Sequence, residues 1–244
     1  MKTNLKSSNR VPLIQWNKSS QYFLILVVLV LLGFWPTYFA KFLDGTADFS
    51  FYFHFHAAMA AAWVALLVLQ PMLIKRKKLA LHRKLGKLTY VLLPLFFLSV
   101  ILLKHHRIGG EVSPNLGASL WLQLKDLVII GIMYGIAIWH KKNVQIHARA
   151  MIATGIVFIE PSLGRLIINV FYPADFTTGF IVTIVLIYAL LLILIFLERK
   201  QSKGRWIFPL VGVLYILFHW LYLFEISFLA WDAFASWFAL LPLT

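Results

Sequence analysis

Apolar runs of about 20 residues, each closed by a short polar or basic stretch, recur along this chain of 244 residues. That recurrence constrains the fold before any single residue is weighed. An α-helix rises about 1.5 Å per residue, so about 20 apolar residues cross the hydrocarbon of a bilayer with every backbone polar group paired inside the helix. The stretch FYFHFHAAMAAAWVALLVLQPMLI (51–74) carries the pattern most fully, followed by KRKKLALHRK and then by LGKL, which opens the next run. Charged residues make up 13% and hydrophobic residues 61%, whereas a soluble domain is about a quarter charged. The chain reads as an all-α, polytopic membrane helix bundle in contact with lipid.

Seven transmembrane helices are expected, at about Gln21–Phe42, Phe51–Ile74, Leu85–Leu103, Ser119–His140, Ala148–Tyr172, Gly179–Leu197 and Trp206–Phe228. Pro94 falls inside the third and is tolerated there because neighbouring helices re-satisfy freed backbone groups. Residues 1–20 form a polar leader and 21–228 the membrane domain. Residues 229–244 are too short to cross again, and their Trp and Phe suit an interfacial helix. The first run starts late for a signal peptide, and cleavage after Ala40 leaves Tyr38 where a small residue belongs, so an uncleaved anchor is expected.

Basic residues give the orientation. Of the 23 Lys and Arg, 18 fall on one side of these spans: four in the leader, seven in 75–87, three in 141–149 and four in 199–205. Lys41, Lys104 and Arg107 fall on the other side, while Lys125 and Arg165 lie within spans. The positive-inside rule then places the amino terminus inside, and seven crossings place the carboxyl terminus outside, in a bacterial-type cytoplasmic (inner) membrane. The formal charge of +14 is accounted for by these topology signals, so nucleic acid is not an expected partner. With no cysteine, any metal or haem must be held by His, Met or carboxylates.

Function must come from polar side chains inside the spans, because each ionisable group there costs about 2.5–3.5 kcal/mol on insertion scales unless it is paired, hydrated or in use. His56, Lys125, Asp126 and His219 fall in the outer half of their spans, and Glu160 falls near the middle of its own with Arg165 farther out; the six form a candidate outer-half pocket for a small polar ligand or a proton. Pro161 and Gly164 beside Glu160 and Arg165 predict an irregular helix and a close backbone approach, as where a helix lines a cavity. A purely structural account also fits these residues: a Lys125 that snorkels, a Glu160–Arg165 ion pair and a His219 bonded to a facing carbonyl. A second group, His82 and His147, opens two spans on the basic side, each after paired lysines, with His140 closing the span between.

The run His56-Ala57-Ala58-Met59, Trp63, Gln70, His82-Arg83 and Gly86 resembles families of uncharacterised bacterial multi-pass membrane proteins. Locally, over about 35 residues, it resembles the helices of cytochrome b561 and ferric-reductase-like proteins. That second resemblance implies haem b held by paired histidines from different helices, with His56 and His82 the best-matched positions and His147 a further one. Pairing by depth gives His56 with His219 for an outer haem and His82 with His147 for an inner one. The inner pair departs from the family pattern by lying among lysines and arginines. Four functions therefore remain open: a ligand or proton site, a b-type haem redox protein, a metal-dependent intramembrane hydrolase for which no HExxH pair is present, and an assembly factor without a ligand.

Overall fold

The computed structural model describes residues 19–47, 50–173, 175–224 and 228–244. Most of the polar leader, together with Asp48 and Glu225, lies outside the described residues. The chain forms α1 (Ser19–Phe34), a π-helical turn at Trp35–Phe39, α2 (Ala40–Leu43), α3 (Phe51–Lys75), α4 (Leu79–Ile108) and α5 (Leu116–Trp139). There follow α6 (Val144–Val157), α7 (Ile159–Val170), α8 (Phe176–Glu198), α9 (Ile207–Leu223) and α10 (Leu229–Ala239). Among the described residues, six stretches are long and apolar enough to cross a membrane: α1 with α2, α3, α4, α5, α6 with α7, and α8. The seventh expected span is a 17-residue apolar helix, α9, which stops at Leu223 rather than near Phe228. This is an integral multi-pass membrane protein whose bundle meets lipid. Its lipid-facing surface includes exposed Ile25, Leu192, Val213 and Ile216.

Helix ends follow the sequence chemistry. Asn143 caps α6 by accepting from the Ile146 amide, and Asp175 caps α8 by accepting from the Thr178 amide. Hydrogen bonds from the Thr178 side chain and amide hold the Asp175 carboxyl below its usual value. The stabilisation from this cap is therefore complete at neutral pH and is lost as pH falls through that lowered pKa. Gly109 ends α4 in the left-handed conformation (φ 63°), which costs glycine little.

Polar contacts set the register of neighbouring helices, which run antiparallel. His56 on α3 meets Ser99 on α4 at 3.2 Å, Thr89 on α4 meets Tyr134 on α5 at 2.8 Å, and Lys104 on α4 donates to Ser119 on α5 at 2.6 Å. On the expected geometry the Lys/Arg-rich loops then share one end, here called the basic end, and α10 closes the other. There Trp231 Nε1 donates to the Gly117 carbonyl at 3.1 Å, and Leu116 and Leu120 pack against Ala235 and Phe238. α10 is thus seated on the bundle through a small core of its own.

The break between α6 and α7 falls at Phe158. Pro161 has no amide hydrogen to give the Val157 carbonyl, and its ring crowds that carbonyl, so the α-helical ladder cannot run through. The Ser162 hydroxyl donates to the Phe158 carbonyl, at the break itself, at 2.8 Å. A new helix N-terminus is left inside the bundle, with Glu160 in its first turn, where the helix dipole favours a carboxylate.

Candidate functional site

Lys125 is the centre of the polar interior. Its side chain is fully buried, yet its ammonium donates to Asp126 Oδ1 and Glu160 Oε1, each at 2.7 Å, and lies 5.4 Å from the centre of the Tyr215 ring. A bare ammonium is not tolerable at this depth, and two carboxylates with an aromatic face replace its water. The second Glu160 oxygen, Oε2, lies 3.2 Å from His219 Nε2, and His219 Nδ1 lies 3.0 Å from the Tyr188 hydroxyl. The result is a continuous chain, Asp126–Lys125–Glu160–His219–Tyr188, drawn from α5, α7, α9 and α8.

Local folding aims each member. Trp121, one helical turn before Lys125, donates to the carbonyl of Phe218, the residue before His219, at 3.2 Å, which brings α5 and α9 to one level. Tyr215 meets His219 at a tilt of 38° with ring centres 5.2 Å apart and Phe180 meets it edge-on at 6.0 Å, so aromatic rings flank the imidazole. The Tyr215 hydroxyl is itself buried without a hydrogen-bond partner among the described residues, which leaves it available to a water or ligand atom entering the network. Asp126 retains 21% side-chain exposure against 7% for Glu160, so the chain leads from a partly open acid to a closed one.

Of the six residues expected in one pocket, Lys125, Asp126, Glu160 and His219 are directly linked. Arg165 and His56 stand beside them. Arg165 does not pair with Glu160, which faces Lys125 and His219 instead; its guanidinium lies 4.5 Å from the centre of the Phe34 ring and donates to the Pro161 carbonyl. His56 bonds Ser99 and stacks on Phe96. Tyr188 and Tyr215 escape sequence reasoning, because a tyrosine in an apolar run differs by one hydroxyl from a packing residue. Removing that hydroxyl is expected to matter: Tyr188→Phe leaves His219 Nδ1 without its partner and lowers thermal stability by about 1 kcal/mol, measured by unfolding in detergent.

At the basic end, His82 begins α4 three residues into the helix and lies within electrostatic reach of His147. The Gln70 amide, with its nitrogen turned towards His82, donates to the His82 carbonyl at 3.2 Å and to its Nδ1, and accepts from the Gly86 amide at 3.0 Å. Three positions of the resemblance motif are thereby in mutual contact. His147 Nδ1 donates to the Ala137 carbonyl at 2.8 Å. Both His219 nitrogens are engaged, with Glu160 and Tyr188, while His56 bonds Ser99. No group of three or more His, Asp or Glu able to hold a metal occurs among the described residues.

A second buried ion pair, Arg149–Glu198, joins α6 to the end of α8, with Arg149 also donating to the Gln145 carbonyl at 3.0 Å. Positive-inside reading takes Arg149 for a loop charge, but it is fully buried. Searches against protein-family models, curated proteins and solved structures find no match for this chain. The findings thus describe a multi-pass helical membrane protein and identify no family.

Proposed function

We propose that this protein handles protons within the membrane, with Glu160 as the exchanging carboxylate and His219 and Tyr188 as the relay, in a seven-span bundle whose basic end faces the cytoplasm. The observation that carries the reading is the sharing of one Glu160 carboxylate, at a helix break, between the Lys125 ammonium and the His219 imidazole. A structural ion pair needs one acid and one base. Here a second carboxylate, an imidazole and a phenol extend the pair, and each can both accept and release a proton. Discontinuous helices with ionisable groups at the break are the usual construction of proton and substrate sites in transporters. The seventh crossing rests on α9, about 25 Å long at 17 residues, which with α10 leaves the carboxyl terminus on the outer side.

The test is infrared difference spectroscopy of the purified protein across a pH titration, paired with proton uptake into proteoliposomes under an imposed potential. A carboxyl stretch that titrates in the wild type and is lost in Glu160→Gln supports the reading. Uptake falling to the level of empty liposomes in the same variant, and by about 10- to 100-fold in His219→Asn, completes the expected result. A titrating band unchanged in Glu160→Gln, or uptake indifferent to both substitutions, removes Glu160 from the role.

A further inference from the structure

A groove of about 380 Å³ opens at the basic end, between the close of α8 and the start of α9, lined by Ile195, Arg199, Arg205, Trp206 and Pro209. Its lining joins two guanidinium groups to an aliphatic and aromatic surface. The chain around it is built rather than loose. Glu198, just before Arg199, turns inward to its buried pair with Arg149, and the Gln201 amide donates to its carbonyl at 3.0 Å. Gly204 reverses the chain at φ 77°, packs on the Arg149 side chain, and accepts from the Ile207 amide at 3.2 Å as α9 begins.

The two arginines keep their charge for something outside the protein. Neither has a carboxylate within 4 Å among the described residues, and the acid nearest in sequence, Glu198, is already held by Arg149. Arg199 is steadied without being neutralised: it donates to the Phe196 carbonyl at 2.6 Å, and its guanidinium carbon lies 3.4 Å from the centre of the Phe196 ring. α9 starts beside them with no side-chain cap and no acid in its first turn, so its dipole adds to the attraction for an anion. A topology signal needs only charge near the membrane surface. It does not need a groove with apolar walls. Exposed Leu192, one turn before Ile195 on α8, and exposed Val213, one turn after Pro209 on α9, continue those walls into the surface that meets lipid.

We propose that this groove seats the headgroup of an anionic phospholipid, with its phosphate on Arg199 and Arg205 and the start of an acyl chain along Ile195 and Pro209. Guanidinium groups match phosphate oxygens with paired donors, tryptophan suits the headgroup level, and basic pockets between helices are where anionic headgroups bind. A soluble phosphate uses the same arginines but leaves the apolar walls bare, so the groove fits the lipid better.

The full-length protein in neutral detergent, at about 0.15 M salt to screen charges beyond about 8 Å, is titrated with phosphatidylglycerol and with phosphatidylcholine of the same chains. Unfolding temperature and lipid occupancy by native mass spectrometry are read. Phosphatidylglycerol is expected to stabilise saturably where phosphatidylcholine does not, with affinity weakened about fivefold in Arg199→Gln and in Arg205→Gln and about 25-fold in the double variant. Both arginines are exposed, so these variants fold. Ile195→Trp fills the groove while keeping every charge and is expected to weaken binding as well. Lys84→Gln with Lys87→Gln removes two exposed charges from α4 that do not line the groove and is expected to leave the affinity unchanged. Equal weakening in that lysine variant means a diffuse surface potential and overturns the proposal, as does a response to inorganic phosphate or glycerol 3-phosphate as strong as that to the lipid, or no preference for phosphatidylglycerol. Glu160→Gln is expected to bind the lipid as the wild type does, so this result stands or falls apart from the proton reading.

Discussion

Replacing Glu198 with leucine is expected to destabilise the protein by about 3–5 kcal/mol, and replacing Arg149 with methionine by a similar amount. Both side chains are fully buried, so each single variant strands a charge that has neither water nor counter-ion. The double variant removes both charges together and is expected to recover most of the loss, because a buried ion pair contributes little against an apolar pair of similar volume. Unfolding of all four proteins in the same detergent gives the coupling directly. A double variant as unstable as the sum of the singles means that the two residues act independently, and the ion pair is then not what joins α6 to α8. Gly204 adds a check, since it packs with φ 77° over the Arg149 side chain, and any β-carbon there lies 3.1 Å from Arg149 Cδ. Gly204→Ala should therefore weaken the same corner without touching a charge.

The contrast between this pair and the central network shows what the sequence does and does not make legible. Helix positions follow from apolar run length, because lipid accepts no unpaired backbone, and the stretches containing 51–74 and 119–140 become α3 and α5 with shifts of a few residues. The break near Glu160 is readable from Pro161, whose missing donor acts locally. Partners are another matter. Glu160 and Arg165 are five residues apart on one helix and invite pairing, but five residues turn α7 by about 140°, so their side chains leave in different directions, and Lys125 from α5 takes the carboxylate. Arg149 is counted with loop charges because charge counting ignores depth; α6 begins at Val144, and the helix carries Arg149 inward to Glu198. Tyr188 and Tyr215 carry no pattern at all. Residue type and depth thus identify which side chains need partners, while helix packing chooses among them.

That packing is controlled at one crossing, and the second large effect is expected there. Gly33, at the end of α1, lies so close to α7 that a β-carbon in its place falls 2.1 Å from the Ser162 carbonyl oxygen. Backbone cannot rotate away as a side chain can, so Gly33→Ala must push α1 and α7 apart, at a cost of about 1–3 kcal/mol typical of overpacking. Gly155 is different: its added β-carbon meets Phe23 Cε1 at 2.4 Å, the far edge of a ring that can tilt, and Gly155→Ala should cost less. Gly212 has nothing within 4 Å, and Gly212→Ala should be neutral or stabilising by up to about 1 kcal/mol through helix propensity. Melting temperatures in one detergent should rank the variants in that order, and a Gly33→Ala protein that melts like Gly212→Ala rules out the close crossing. The functional consequence follows from position. Phe34, beside Gly33, carries the Arg165 guanidinium, and α7 carries Glu160. Separating the two helices therefore displaces the Arg165 guanidinium and the Glu160 carboxylate together, so on the proposed proton reading Gly33→Ala should weaken proton uptake as well as lower stability.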